Sequence, residues 1–339
     1  MITVRRVFVR ELSDGNDVDQ VLLVRRIERR ERRDGQPYLR LALGDRTGAV
    51  RAMVWEEIDA LVAILREGQP IQVRGRYSVH PDYGPEIKLR ELCEPEPGCF
   101  ALADLVETAA RAPDQMERDL RALLATIQNE HLRALLERVF DPASVLWERY
   151  RIAPAAKHYH QAYAHGLLEH CLGVAQAVSA TAATFPGIDR EVAVTGALLH
   201  DIGKLEAYSA ENNVVDMTDL GRLHGEIPLG YYRIRRMIED LEGFPRELEW
   251  AVLHIILAHH GTLENGSPVL PCTREATLVH MIDNLGGRLG SFDRLERELA
   301  PGREWSDFDR AIGTSAYFGS ADAEADGSRP LTAADAAAA

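Results

Sequence analysis

The chain contains 339 residues, which is enough for two or three domains that each bury a hydrophobic core. Hydrophobic residues make up 46% and charged residues 27%, a composition typical of globular proteins and not of disordered ones. The net charge of −14 argues against a protein held to nucleic acid or to an anionic membrane by bulk charge alone.

The N-terminal third has the periodicity of β-strands. Five segments alternate apolar and polar residues; in the second, Leu39, Leu41 and Leu43 alternate with polar or small neighbours. A segment with helical periodicity, EEIDALVAILREG, separates the third strand from the fourth. Three strands, a helix and two strands is the order of an OB-fold barrel. We therefore predict a multidomain protein whose first domain, residues 1–97, is an all-β OB-fold barrel.

The rest of the chain has the periodicity of helices. Residues 98–154 contain regularly spaced apolar positions interrupted by prolines, so we predict a helical connector there. Residues 155–318 are predicted to form an all-α helical bundle. Residues 319–339 are rich in alanine and almost free of basic residues, and we expect a disordered tail.

Ten of the twelve histidines lie between residues 158 and 280, which indicates a metal site in the bundle. In the motif GALLHDIGKLE, His200 and Asp201 are adjacent at the end of an apolar helix. Neighbouring side chains diverge on a regular helix, but they can converge where the helix unwinds into Gly203. His170 falls on the apolar stripe of its own helix, so it is expected to point into the bundle.

Further candidates stand near the ends of later helices and in the middle of the last one. A single buried histidine or aspartate is more often a hydrogen-bonded core residue than a ligand. Several helices that each deliver one inward-facing nitrogen or carboxylate are, however, the way in which bundles build metal sites. The predicted ligands are His170, His200, Asp201, His224, His259, His260 and Asp283. The pattern leaves open which member of the doubled pair His259 and His260 is the ligand.

This ordered set, H…HD…H…H…D, resembles the HD-domain phosphohydrolase superfamily. The resemblance implies an HD-domain bundle with a binuclear centre in which Asp201 bridges two divalent ions. It also places Lys204 where relatives carry a phosphate-contacting lysine, so Asp201 and Lys204 are the expected catalytic residues. Mixed nitrogen and oxygen ligands suit Mn²⁺, Fe²⁺ or Zn²⁺ better than Mg²⁺. Mn²⁺ is the expected metal, with Fe²⁺, Zn²⁺ and Co²⁺ as alternatives.

The predicted barrel carries aromatic residues interleaved with arginines, a combination that binds single strands by stacking and charge. Residues 1–95 contain 17 basic and 16 acidic residues, so the acidic excess belongs to the remainder of the chain. A single aromatic residue fits a barrel core or rim as well as a base platform. The candidates for nucleic-acid contact are Tyr38, Arg51, Trp55, Arg74, Arg76 and Tyr77.

An OB-fold barrel with DRTGAVRAMVW, a helical connector and an HD domain together resemble the YhaM-type 3′-to-5′ exoribonucleases. The segments HYHQAYAHGLLEH, LLHDIGK and HHGTLENGSPVLPCTREATLVHMIDNL carry the resemblance, which covers residues 5–312. It implies a metal-dependent exonuclease that hydrolyses single-stranded RNA, with single-stranded DNA as a second candidate substrate, to nucleoside monophosphates. One departure is His165, which stands where the family usually has a glycine.

Two other interpretations stay open at this level. The first is an HD-domain phosphohydrolase of free nucleotides or cyclic dinucleotides with a regulatory barrel; the second is a strand-binding protein with a purely structural bundle. No segment approaches the run of about 20 apolar residues that a membrane helix needs. We expect a cytoplasmic protein without a membrane partner, and self-association is left open.

Overall fold

The computed structural model describes most of the chain, namely residues 7–32, 34–56, 58–80, 83–106, 109, 111–156, 163–209, 215–299 and 302–319. The predicted disordered tail lies, apart from Gly319, outside the described residues. The chain separates into two compact units, residues 1–286 and 287–339. In the part that is described, no helix is both long and apolar enough to cross a membrane.

The N-terminal part of the first unit is a closed five-stranded barrel, which confirms the predicted OB fold. Neighbouring strands follow the order β1-β2-β3-β5-β4, and they are antiparallel except for the parallel pair β3 and β5. A short helix, α1, connects the third strand to the fourth. The bounds are β1 Asp17–Glu31, β2 Pro37–Asp45, β3 Gly48–Val54, α1 Ile58–Ile64, β4 Pro70–His80 and β5 Gly84–Cys93.

In β2 the alternation seen in the sequence separates core from surface residues, whereas the residues from Val21 to Val24 of β1 are all buried. Leu39, Leu41 and Leu43 of β2 are buried in the core, whereas their neighbour Arg40 is exposed. Because side chains alternate along a strand, every second residue of β2 and β3 lies on one outer face. This outer face carries the more exposed side chains of the two strands.

Three helices follow the barrel, in the region predicted as a connector. They are α2 Pro113–Leu124, α3 Glu130–Phe140 and α4 Val145–Ile152. The Asn129 and Ser144 side chains accept hydrogen bonds from backbone N–H groups at the starts of α3 and α4. The three helices share one hydrophobic core with the helices that follow, and this core includes Phe140 and Trp147. The boundary proposed between connector and bundle, after residue 154, stays a prediction.

The bundle itself is built around α5, which is buried along most of its length. A two-stranded hairpin, β6 Tyr208–Ser209 and β7 Asp216–Met217, lies between its short helices α7 and α8. The remaining bounds are α5 Gly166–Ala182, α6 Arg190–Leu199, α7 Lys204–Ala207, α8 Asp219–His224, α9 Glu226–Glu239, α10 Arg246–Ala258 and α11 Arg274–Glu298. In the second unit, Leu295, Ile312 and Ala316 form a small core of their own.

Candidate metal centre

His200 and Asp201 lie at the point where a helix gives way to a turn. Helix α6 ends at Leu199, and residues 201–203 form a turn before α7 begins. The Nε2 atom of His200 lies 3.3 Å from Oδ2 of Asp201, so the two consecutive side chains converge. The Nδ1–H group of His200 donates to the carbonyl oxygen of Ala197 at 2.7 Å. This bond fixes the ring and leaves Nε2 as the nitrogen that faces the cluster.

Two other helices bring His170 and Asp283 to the same place. Helix α5 carries His170, whose Nε2 atom is 3.1 Å from Oδ1 of Asp283 and 3.3 Å from Oδ2 of Asp201. The Nε2 atoms of His170 and His200 are 3.2 Å apart. Four candidate ligand atoms from α5, α11 and the turn after α6 are therefore close neighbours in the interior of the bundle.

His259 approaches Asp201 from the end of α10. Its Nδ1–H group donates to the carbonyl oxygen of Ile256 at 2.8 Å, and its Nε2 atom lies 3.6 Å from Oδ1 of Asp201. Among the described residues, these two buried atoms have no hydrogen-bond partner. Buried polar atoms are almost always paired, so two facing acceptors without a donor call for a cation between them.

The donor set fits a divalent cation. Its atoms are imidazole nitrogens and carboxylate oxygens, the ligands of Zn²⁺, Mn²⁺ and Fe²⁺ sites. Ligands about 2.1 Å from one ion lie about 3 to 4 Å from one another, which is the range of the separations found here. Two groups have the required proximity, with all ligand atoms of each within 4.8 Å: His170, His200 and Asp201, and His200, His259 and Asp283.

Lys204 supplies a positive charge inside this centre. Its Nζ donates to Oδ2 of Asp201 at 2.7 Å. Burial opposes the charge of Lys204, but the carboxylates of Asp201 and Asp283 outweigh it and raise the pKa of this lysine. Burial likewise disfavours the ionised form of Asp201, yet Lys204 and His200 hold its pKa well below the usual range. The carboxylate is therefore ionised and ready to act as a ligand.

The histidines of the centre differ in protonation. Burial opposes protonation of His170, but hydrogen bonds to Asp201 and Asp283 outweigh it and raise its pKa to about 9. Burial lowers the pKa of His259 to about 3, with help from the charge of His200. The ring of His259 is therefore neutral at physiological pH, and its Nε2 atom carries a lone pair.

The other two predicted ligands lie further out. His260 is beside His259, with ring centroids 4.4 Å apart, and its Nε2 atom lies 3.8 Å from Oε1 of Glu226. His224 is the last residue of α8, and its side chain is exposed. Within the described residues, no hydrogen bond or ion pair connects His224 to the cluster. The ligand roles of His224 and His260 stay predictions.

Glu226 and Tyr208 lie at the centre but were missed in the sequence. Glu226 is the first residue of α9, and 20% of its side chain is exposed. Burial raises the pKa of Tyr208, the negative charge of Glu226 adds to this, and Lys204 opposes it. An acidic residue two positions after a candidate histidine was a usable signal for Glu226. Tyr208 stands in a hairpin whose strands are two residues long, and nothing in the sequence marked it.

Two glycines hold these elements at close range. A Cβ atom on Gly203 would overlap the carbonyl oxygen of Glu226, so only glycine lets the turn before α7 reach the start of α9. Gly261, with φ +79°, follows the histidine pair, and a Cβ atom there would overlap the ring of His280. The Nδ1–H group of that ring donates to the carbonyl oxygen of His259 at 2.8 Å. Both glycines therefore fix the backbone that carries candidate ligands.

His165 has a backbone conformation that explains its unusual position in the motif. Its φ of 69° is in the left-handed region, and it is the one non-glycine residue with positive φ in the described segments. Glycine adopts this conformation without steric cost. The Nδ1–H group of His165 donates to the carbonyl oxygen of Arg151 at 2.6 Å, which offsets part of the strain.

Comparison with known proteins connects both parts of the chain to one group of enzymes. Residues 167–287 match the HD domain family, and residues 21–92 match the OB-fold nucleic acid binding domain family. Proteins named 3′-5′ exoribonuclease YhaM align with most of the chain. The relative from Geobacillus sp. (strain WCH70) is 27% identical over 85% of this chain and 87% of its own length. Those from Bacillus subtilis (strain 168) and Shouchella clausii are 28% and 26% identical over 85% and 91% of this chain, and over 90% and 95% of their own lengths.

The chain resembles the YhaM exoribonucleases over most of its length. The two matched ranges fall inside the predicted barrel and bundle, so the order of OB-fold barrel and HD domain is confirmed.

The barrel of this YhaM-like chain carries a three-membered stack on its outer face. The rings of Tyr38 and Trp55 stack with centroids 5.0 Å apart and planes 28° apart. The guanidinium of Arg32 lies 4.5 Å over the ring of Trp55, half of which is exposed. We call Arg32, Tyr38 and Trp55 the aromatic stack. Such a surface offers a flat, positively charged platform to a nucleic-acid base.

A shallow groove between β1, β2 and β3 carries further arginines. It is lined in part by Arg26, Arg40 and Arg51. Glu28 forms ion pairs with Arg26 and Arg30, which neutralises part of the charge. The groove is thus only mildly basic, as the charge balance of the barrel suggests.

The other three predicted contacts lie on β4, which β5 separates from β3. Arg74 hydrogen-bonds with Asp19 and Glu91. Tyr77 packs against the barrel core, and Arg76 is exposed. The structure does not bring Arg74, Arg76 and Tyr77 together with the aromatic stack, and their contact with nucleic acid stays a prediction.

Proposed function

We propose that this protein is a metal-dependent exonuclease that shortens single-stranded RNA from its 3′ end and releases nucleoside monophosphates. One observation carries the proposal. A barrel with an outer-face stacking surface and a buried histidine–aspartate centre occur in one chain that aligns with 3′-5′ exoribonucleases along 85% of its length. The barrel explains binding of a strand, and the centre explains cleavage of its backbone.

The residues of the centre have distinct roles in this proposal. Asp201 presents Oδ2 to His170 and His200 and Oδ1 to His259, so its two carboxylate oxygens could serve two ions. His170, His200 and Asp283 would hold one ion together with Asp201, and His259 would hold the other. Bound divalent cations, with Mn²⁺ as the proposed metal, activate water as a nucleophile and neutralise phosphoryl charge.

Lys204 and the aromatic stack act on the substrate directly. Lys204 orients the Asp201 carboxylate through its hydrogen bond and offers a positive charge to the scissile phosphate. The aromatic stack holds bases by their faces, which all four bases share. Because stacking does not need a 2′-hydroxyl group, the proposal includes single-stranded DNA as a second substrate. It also includes a cytoplasmic location.

The test is degradation of an oligoribonucleotide that is labelled at its 5′ end. The full-length protein with added Mn²⁺ should produce a ladder of labelled products that shortens from the 3′ end. Nucleoside monophosphates should appear in the same sample. The proposal is wrong if metal-loaded protein leaves the strand intact while it hydrolyses free nucleotides or cyclic dinucleotides, which would indicate a nucleotide phosphohydrolase instead.

A further inference from the structure

We infer that Glu226, and not His224, completes the second cation site together with His259, His260 and the Oδ1 atom of Asp201. The inference rests on the proposed function, since it concerns the same centre. It replaces a ligand that the sequence motif suggested with one that the packing of α9 provides.

Two buried atoms at the inner end of this site, on His259 and Asp201, have no hydrogen-bond partner in the described residues. The Nε2 atom of His259 and Oδ1 of Asp201 lie 3.6 Å apart, both inaccessible to solvent and both without a hydrogen-bond partner in the described residues. The other oxygen of Asp201, Oδ2, already faces Lys204, His170 and His200. A second cation on the Oδ1 side would satisfy both unpaired atoms.

The side chains of His260 and Glu226, which are partly exposed, lie next to each other at the outer end of the site. The Nδ1–H group of His260 donates to the carbonyl oxygen of Asn265 at 2.9 Å, which leaves Nε2 as an acceptor. This Nε2 atom lies 3.8 Å from Oε1 of Glu226, too far for a hydrogen bond and suited to two ligands of one ion. The ring centroids of His260 and His259 are 4.4 Å apart, so the pair of His260 and Glu226 lies beside the pair of His259 and Asp201.

Main-chain contacts with Gly203 hold the backbone of Glu226 in place. The carbonyl oxygen of Glu226 and the backbone N–H of Gly230 pack against Gly203, two residues after Asp201. Glu226 and Asp201 are therefore fixed relative to each other by contacts between main chains.

His224 has none of these relationships with the residues that the structure describes. It ends α8, its side chain is exposed, and Gly225, with φ +74°, turns the chain before Glu226 begins α9. With Glu226 in the set, the second site has two imidazoles and two carboxylates. This mixture of nitrogen and oxygen ligands favours Mn²⁺ or Fe²⁺, whereas a site made of nitrogen ligands alone would favour Zn²⁺ or Cu²⁺.

The test counts Mn²⁺ ions in the full-length protein. Wild-type protein, stripped by a chelator and reloaded with Mn²⁺ alone, should bind two ions per chain and show the electron paramagnetic resonance signal of a coupled pair. Glu226→Gln, which keeps the shape of the side chain, should lose the coupled signal and bind the second ion at least about 100-fold more weakly. The matched control, His224→Ala, should keep both ions and the signal.

A further variant tests whether the loss of the second ion in Glu226→Gln results from misfolding. Glu226→His replaces one ligand type with another, so it should recover a second bound ion with a preference shifted towards Zn²⁺. Circular dichroism should show native helix content in all three variants. The inference is overturned if His224→Ala loses the second ion while Glu226→Gln keeps it, or if wild-type protein binds one ion only.

The ion-counting experiment and the RNA-degradation test can fail independently of each other. A protein that binds two ions through Glu226 but leaves RNA intact would contradict the exonuclease proposal and not the ligand assignment. A protein that degrades RNA with one ion, equally in wild type and Glu226→Gln, would contradict the ligand assignment alone.

Discussion

The Oδ1 atom of Asp201 faces the Nε2 atom of His259 at 3.6 Å in the interior of the bundle. Both atoms are acceptors, because Asp201 is ionised and burial lowers the pKa of His259 to about 3. Two such atoms repel each other in a medium of low polarity. The fold tolerates this contact at a cost in free energy that a bound cation removes.

We therefore expect divalent metal to stabilise the folded protein. A ligand present at 100 times its dissociation constant adds about 2.7 kcal/mol to the free energy of unfolding when it binds the native state alone. Thermal unfolding of chelator-treated protein, with and without Mn²⁺, measures this increment. In His259→Ala the increment should shrink, and an undiminished increment would contradict the role of His259 as a ligand.

Asp201→Asn should abolish hydrolysis while leaving the barrel unaffected. The carboxamide keeps the shape of the side chain but loses the charge that both sides of the centre use. Loss of several kcal/mol of transition-state stabilisation corresponds to a fall in rate of about a thousandfold. Rates on a labelled oligoribonucleotide and its dissociation constant should be measured together. A parallel loss of RNA affinity would mean that the variant has disturbed more than the centre.

Lys204→Met should destabilise the metal-free protein. The ammonium group lies 2.7 Å from the buried Oδ2 atom of Asp201, and methionine fills the space without supplying charge. Removing one partner of a buried ion pair costs about 3 kcal/mol or more. Chemical denaturation measures the loss. Added Mn²⁺ should restore part of the stability in Lys204→Met, because the ion supplies the missing positive charge.

The sequence predicted the barrel and much of the centre because both depend on local patterns. Alternation along β2 and the order of strands identify the barrel, and the HD motif at a helix end identifies His200 and Asp201. Glu226 was not singled out because its proximity to His260 depends on the contact of α9 with Gly203, which joins segments distant in sequence. His224 was predicted as a ligand because histidine is a common ligand type; the structure places it, exposed, at the end of α8, and its ligand role stays a prediction.

The barrel shows the same limit of sequence patterns. Arginines and aromatic residues on different strands look alike in the sequence, whereas pairing decides which of them share a face. The strand order places β5 between β3 and β4, so Arg74 on β4 is not on a strand next to β3, after which Trp55 follows. Ion pairs with Asp19 and Glu91, which no local pattern predicts, occupy Arg74.

Trp55→Ala should therefore weaken binding of single-stranded RNA more than Arg74→Ala. Loss of one stacked base costs about 1 to 3 kcal/mol, or about 5- to 150-fold in affinity. Arg74 is neutralised by its two carboxylate partners, so its removal should change affinity by less than about threefold. Fluorescence anisotropy with a labelled strand compares the two variants. Equal losses would indicate that the strand follows β4 instead of the aromatic stack.

A pair of substitutions at His165 should isolate the strain of its backbone. Both His165→Ala and His165→Gly lose the hydrogen bond to the carbonyl oxygen of Arg151, but only alanine keeps the steric cost of φ 69°. The glycine variant should be more stable than the alanine variant by about 1 kcal/mol. At Ala175, inside α5, the opposite order is expected. The Ala175→Gly variant should be less stable than the wild type, since glycine destabilises helices by about 1 kcal/mol relative to alanine. Denaturant unfolding of all three variants measures these differences.

The close contact between Gly203 and the first turn of α9 also limits how the protein can respond to different strands. Main-chain atoms meet there directly, so no change of side-chain rotamer alters the spacing between Asp201 and Glu226. If the protein is the exonuclease proposed above, this fixed spacing would require every 3′ terminus to adopt the same position at the centre. Tolerance for different base sequences would then come from the barrel, because stacking on the aromatic stack would use base faces and not base edges.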